Sequence, residues 1–264
     1  MTNKEHIEKS LEYERLGKFN NDINPVDWDA CYPVTSDFPY IVKNVFHKIS
    51  NSLKKVFIIN PYQRYQNKKI FKTKFIGREN LKNIRGAIVT SNHYNIFDCL
   101  AIRQAIGDNS VRYCVAEYNN RKGFLGNMMR SAGIMPLSPK FNVQKEFSKA
   151  VDYYLKNGKK VVFYPEQAMW YMYEKPRPFR DGAFYYAVKN NVPIIPLFTT
   201  FTPSGEFDNE GIEIKHLTVH IMPPIYPDKN LKPKEDIERM KNLNYKMCVD
   251  KYEEFYNKKL EYLK

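Results

Sequence analysis

The segment Asn92-His93-Tyr94-Asn95-Ile96-Phe97-Asp98 sets an imidazole and a carboxylate five residues apart. Histidine is the side chain whose unperturbed pKa suits proton transfer near neutral pH. A carboxylate on its far ring nitrogen fixes the tautomer and stabilises the imidazolium, so the pair has the makings of a general base and its orienting partner. On an ideal helix, residues five apart point about 140° away from each other. The two side chains therefore meet only if His93 lies in a loop and Asp98 in the first turn of a helix. Asn95 is a fitting N-cap, which predicts Asp98 at the third helical position. The competing reading makes Asp98 a capping-box carboxylate and His93 an ordinary loop residue.

The flanking residues supply such a junction. Ala87-Ile88-Val89-Thr90 reads as a buried strand, and Cys99-Leu100-Ala101-Ile102 as the start of an amphipathic helix. Open α/β sheets bind ligands in the crevice beyond the strand carboxyl ends. Further β-rich runs occur at Ile70–Ile76, Val111–Ala116, Ile134–Leu137, Val161–Tyr164, Ile194–Phe201 and Ile212–Ile221. Helical patterns cover Val143–Leu155, with Gly158 just past its end, and Ala183–Lys189. The tail after Pro233 reads as one long charged helix. Strands alternating with helices predict an α/β fold, a single layered domain with a mixed, mostly parallel sheet flanked by helices.

Four blocks, taken in order, resemble the glycerolipid acyltransferases, the family that includes lysophosphatidic acid acyltransferases. Asn92-His93 through Asp98 fits the family's N-H-x-x-x-x-D. Gly133-Ile134-Met135-Pro136-Leu137 is like its glycine-led strand. Phe163-Tyr164-Pro165-Glu166 is like its F-P-E-G-T-R, followed by Pro178-Phe179-Arg180-Asp181-Gly182. Val192-Pro193-Ile194-Ile195-Pro196 is like its V-P-I-I-P, and the lead-in Phe75 to Leu81 also fits. The resemblance spans roughly residues 75–201. It implies the family's fold and O-acyl transfer from acyl-CoA or acyl carrier protein, with His93 as base and Asp98 as its partner. It also makes Asn92, Gly133, Pro165, Glu166 and Gln167 candidate substrate-binding residues. Gly133 and its neighbours are candidate oxyanion donors, and Glu166 is expected to hold the site loop or bond an acceptor hydroxyl.

Two departures concern phosphate. After Pro165-Glu166 the family continues Gly-Thr-Arg, where this chain has Gln167-Ala168-Met169. The arginine closing the second block is replaced by Ser138-Pro139. Those arginines are the family's usual phosphate contacts. Lys175, Arg177 and Arg180 follow shortly and are the expected substitutes, since a planar guanidinium suits phosphate.

The chain has 264 residues and a net charge of +13, from 42 Lys+Arg against 29 Asp+Glu. That balance predicts an anionic partner, such as membrane headgroups or an acidic carrier. Tyrosines are numerous but lie in core-like runs without any nucleic-acid module, so no nucleic-acid partner is expected. Cys31, Cys99, Cys114 and Cys248 are scattered, which suits reduced thiols in a cytoplasmic protein. No apolar run reaches the ~18 residues of a spanning helix. His216 and His220 lack a third ligand for zinc, and neither a phosphate loop nor a nucleophile elbow occurs, so no metal or cofactor is expected.

Three regions follow: an irregular N-terminal segment (1–37), an amphipathic helical segment (38–60) and the acyltransferase domain with its C-terminal helix (61–264). In the second, Ile41, Val42, Val45, Phe46, Ile49, Leu53, Val56 and Phe57 share one helical face among lysines. That face enters a lipid interface or packs on the core. Met169-Trp170-Tyr171-Met172-Tyr173 is expected to line a fatty-chain groove or dip into lipid. The expected protein is an acyltransferase acting on a lysophospholipid-type acceptor, such as 1-acylglycerol-3-phosphate, in phospholipid synthesis. It would attach peripherally to the anionic inner face of the membrane. The alternative is a peripheral lipid-binding protein on an acyltransferase scaffold with altered or lost catalysis.

Overall fold

Ala87, Ile88 and Val89 are wholly out of solvent, and their strand sits between two parallel neighbours. Strands buried on both faces read as continuous apolar runs, which is why this one lacks alternation. The structure is a computed structural model that describes residues 1–263. Its strands are β1 (Lys74–Ile76), β2 (Ala87–Thr90), β3 (Arg112–Ala116), β4 (Ile134–Leu137), β5 (Lys160–Phe163), β6 (Ile194–Phe207) and β7 (Glu213–Ile221). They form one sheet in the order β1-β7-β6-β2-β5-β3-β4, with only the β6–β7 pair antiparallel.

The helices are α1 (Asn3–Arg15), α2 (Val45–Lys54), α3 (Asn60–Tyr65), α4 (Asp98–Ile106), α5 (Gly123–Ala132), α6 (Phe141–Lys156), α7 (Gly182–Asn190) and α8 (Pro233–Tyr256). One face of the sheet, through Ile88, Val161, Phe163 and Ile194, packs on Phe147 of α6, Phe184 of α7 and Met240 of α8. The other, through Ala87, Val89, Val162 and Ile195, packs on Ala101, Ile102 and Ala105 of α4. This is the expected mixed, mostly parallel sheet between helical layers.

Several local expectations are corrected. The N-terminal segment is not irregular throughout: Thr2 and Glu5 form a reciprocal capping box that opens α1. Residues 38–43 are not helical, and Ile41 packs on the main core. Helix begins only at Val45, capped by the Asn44 side chain, and runs through π turns at Lys55–Ile59 and Gln66–Ile70. The run Ile70–Ile76 therefore yields only the short β1.

The orientation of α2 is the reverse of a core helix. Its polar side faces the protein: Asn51 accepts from Ser131 Oγ at 3.0 Å, and Lys54 Nζ donates to Asn127 Oδ1 at 3.1 Å. Its apolar side, continued by the π turn that follows, is bare, with Phe46 81% and Phe57 72% exposed and Val45, Ile49, Leu53 and Val56 exposed beside them. No described helix is long and apolar enough to cross a membrane.

Candidate active site

β2 ends at Thr90, and the chain leaves the sheet as a loop before re-entering regular structure at α4. Two anchors fix that loop. Asn92 Oδ1 accepts from Thr199 N at 2.8 Å while its Nδ2 donates to Thr199 O at 3.0 Å, so the amide is bound edge-on to β6. Asn244 of α8 donates to Thr90 Oγ1 at 2.6 Å, within the buried core. Asn95 acts on the loop through its side-chain oxygen, which accepts from Phe97 N at 2.8 Å. Asp98 is the first residue of α4 rather than the third, because the Asn95 turn precedes the helix instead of capping it.

His93 and Asp98 meet as loop and first turn. Nδ1 of His93 lies 2.6 Å from Oδ2 of Asp98. An ionised carboxylate only accepts, so Nδ1 carries the proton and the lone pair resides on Nε2. The imidazole is 22% exposed and Asp98 2%, which leaves the base reachable and its partner shielded. Tyr94 N also donates to Oδ2, at 3.3 Å. Tyr164, just past β5, donates its hydroxyl to Oδ1 at 2.6 Å and stacks on the imidazole, with ring centroids 4.0 Å apart and planes 18° off parallel. Burial, reinforced by Asp98, pushes the Tyr164 phenol well above its ordinary pKa, so it stays a donor. Such a constellation can abstract a proton at Nε2 and hold the resulting imidazolium.

Glu166 closes one side. Its Oε1 accepts from Arg177 N at 2.9 Å and its Oε2 from Arg177 Nη2 at 2.8 Å, with His93 N at a longer 3.4 Å. The loop carrying it runs beside the histidine loop, Trp170 N donating to His93 O at 3.0 Å and Met172 N to Tyr94 O at 2.8 Å. The N-terminal segment completes this wall: Arg177 Nη1 donates to Phe19 O at 2.8 Å, Asn20 Nδ2 to Glu166 O at 3.0 Å, and Trp170 Nε1 to Asn21 O at 3.1 Å.

The acyltransferase family model matches residues 72–200, which include the histidine loop, Asp98, Tyr164 and Glu166. Over that stretch the chain is similar to the acyltransferase family. The fold is similar to that of a crystal structure described as the 1-acyl-sn-glycerophosphate (LPA) acyltransferase PlsC from Thermotoga maritima. The two share 18% identity at a TM-score of 0.54, over 82% of this chain and 91% of that one. A search of curated proteins gives no match.

The other expected binding residues divide. Gly133 is corrected as an oxyanion donor. It is the left-handed C-cap of α5, and its N–H is spent on Met129 O and Arg130 O. It also stands at the amino end of β4, whereas His93 lies past the carboxyl end of the parallel β2. Arg177 is corrected as a phosphate contact: it is 1% exposed, and its two terminal nitrogens are bonded to Glu166, Ala168 O and Phe19 O. Lys175 pairs with the buried Glu14 at 2.5 Å, so its charge too is matched inside the protein. Asn92 is held by Thr199 and Glu166 by Arg177.

Buried Pro165 accepts from Arg180 N at 2.8 Å through its carbonyl. Arg180 and Gln167 are exposed and joined, Nε to Oε1, at 3.1 Å. Gln167 has φ +69°, a left-handed conformation that favours glycine.

Met169–Tyr173 is also corrected. Trp170 is buried among Ile23, Ala168, Tyr13, Phe19 and Tyr173, and its ring lies beneath the Arg177 guanidinium at 4.5 Å. The loop closes over the core, because α1 and the residues after it supply an apolar lining. Among the described residues, no three His, Cys, Asp or Glu side chains are placed to hold a metal. His220 is buried with Nε2 3.0 Å from Thr200 Oγ1.

Proposed function

We propose that this chain transfers a fatty acyl group from a thioester, on coenzyme A or acyl carrier protein, to a hydroxyl of a lysophospholipid-type acceptor. The observation that carries this reading is the His93–Asp98 contact of 2.6 Å, with Nε2 left free of any described hydrogen-bond partner. His93 Nε2 takes the proton of the acceptor hydroxyl as that oxygen attacks the thioester carbonyl. The tetrahedral intermediate then collapses to the ester, and the departing sulfur takes the proton back from the imidazolium. Asp98 holds the tautomer throughout. No acyl-enzyme is needed, since burial pushes the nearby Cys99 thiol up to about 12 and no activated serine adjoins His93.

The acceptor works at a membrane surface in this account. The outward apolar face of α2 supports it, because a bare face of that size is otherwise unfavourable in water. The excess of basic residues draws the protein to anionic lipid. Arg180 is the basic residue of the third-block loop left to meet an acceptor headgroup. On this reading the protein works at the cytoplasmic face of the membrane, in phospholipid synthesis.

The test is incubation of the protein with lipid extract and a radiolabelled acyl thioester, followed by identification of the labelled lipid. A labelled phospholipid formed by wild type and not by His93→Ala supports the reading. Binding of lipid without any transfer supports the non-catalytic alternative.

A further inference from the structure

We propose that Tyr164 is a positioning residue that lowers the proton affinity of His93 by sharing the charge of Asp98, a role that rests on His93 acting as the base. The carboxylate of Asp98 is divided between two side chains. Oδ2 faces His93 Nδ1 at 2.6 Å and Oδ1 receives the Tyr164 hydroxyl at 2.6 Å. The same tyrosine ring covers the imidazole at 4.0 Å. Tyr164 thus reaches His93 twice, face to face and through the carboxylate, without standing where the lone pair of Nε2 emerges.

The electrostatics have a definite sign. Asp98 favours the imidazolium. A hydrogen-bond donor on Oδ1 draws negative charge away from Oδ2, so the imidazolium is held less strongly. The neutral base is then more available near pH 7, which is where a thioester transferase needs it. Asp98 fixes the tautomer, and Tyr164 limits what that costs in basicity.

Other titratable groups around the dyad do not supply this effect. The Tyr94 and Tyr113 phenols and the Cys99 thiol are raised by burial, and so remain neutral across the working range. Glu166 is matched by Arg177. No lysine or arginine bonds Asp98 among the described residues. Removal of one hydroxyl, in Tyr164→Phe, leaves the ring stacked on His93 and isolates the donor.

The experiment is an NMR titration of the imidazole resonances of wild type and Tyr164→Phe, with His93 identified by its loss in His93→Gln. It is paired with the pH dependence of kcat/KM for acyl transfer. The His93 pKa should rise by about one unit in Tyr164→Phe, since a hydrogen bond to a charged group is removed. The acid limb of kcat/KM should rise with it, giving a roughly tenfold loss near pH 6 and little loss near pH 8.5. An unmoved His93 pKa overturns the proposal, even if activity falls uniformly at all pH values. If the pKa moves and the acid limb does not follow, the tuning stands and His93 is not the base. Site-specific fluorotyrosine at position 164 gives the opposite test without removing the group: a more acidic hydroxyl donates more strongly and should lower the His93 pKa.

Discussion

Arg177 Nη2 lies 2.8 Å from Glu166 Oε2, with side chains 1% and 2% exposed. Three further acceptors or donors complete the pair: Ala168 O, Phe19 O and the Arg177 backbone N–H. The guanidinium that the sequence offers as a phosphate contact is therefore a structural member of the site wall. It ties the loop after β5 to the N-terminal segment.

Arg177→Ala should then act on stability before it acts on substrate affinity. Breaking a buried pair by removing one partner leaves an uncompensated charge and costs about 3–5 kcal/mol. Denaturant unfolding should show that loss. A variant of undiminished stability, with KM raised for a phosphorylated acceptor alone, would return Arg177 to the role of headgroup contact.

Trp170 gives a second separation of core from lipid. Truncation to alanine should destabilise by about 3–5 kcal/mol, as for a buried aromatic. In a Trp28→Phe background, where Trp170 is the remaining tryptophan of the two, its emission should not change when anionic vesicles are added. A blue shift with vesicles would show that the loop opens and enters lipid.

The face of α2 should behave in the opposite way. Replacing Val45, Phe46, Ile49 and Leu53 with polar residues should release the protein from anionic vesicles with little change in unfolding midpoint, since all four are exposed. Vesicle binding by wild type should weaken with salt, as the Debye length falls to about 3 Å at 1 M. Sedimentation with vesicles and thermal unfolding together decide this. Unfolding of the variant, or full retention on vesicles, contradicts the membrane role of this face.

Acid stability carries a specific signature. Burial lowers the pKa of both His6 and His220 from 6.5 to about 4. A base depressed in the folded state binds protons more readily when unfolded. Its contribution is fully present above pH 6.5 and is lost as pH falls from there towards 4. The free energy of unfolding should decline over that window, and His6→Gln with His220→Gln should flatten the decline. If the slope between pH 6.5 and 4 is the same in the double variant, carboxylates govern it instead.

The sheet was legible because its strands are apolar on both faces: the runs at Ala87, Ile134 and Val161 fall within a residue of β2, β4 and β5. The His93–Asp98 pair was legible because a loop and a first helical turn are the arrangement that lets spacing of five close up. Three things were not. Tyr164 meets Asp98 only because β5 lies beside β2 in parallel register, Thr90 opposite Phe163, and register has no local mark in sequence. The burial of Arg177 and Trp170 is supplied by Phe19–Ile23, a segment whose polar composition hides its contacts. Gly133 matched a motif, but its N–H was already committed to ending α5.

The central claim is that His93 is the base and Asp98 its partner, and kcat for acyl transfer in His93→Ala measures it most directly. With circular dichroism and unfolding midpoint unchanged, kcat should fall by about 10²–10⁴-fold, and Asp98→Asn should fall comparably by presenting the wrong partner to Nδ1. A well-folded His93→Ala that keeps most of its activity would contradict the account.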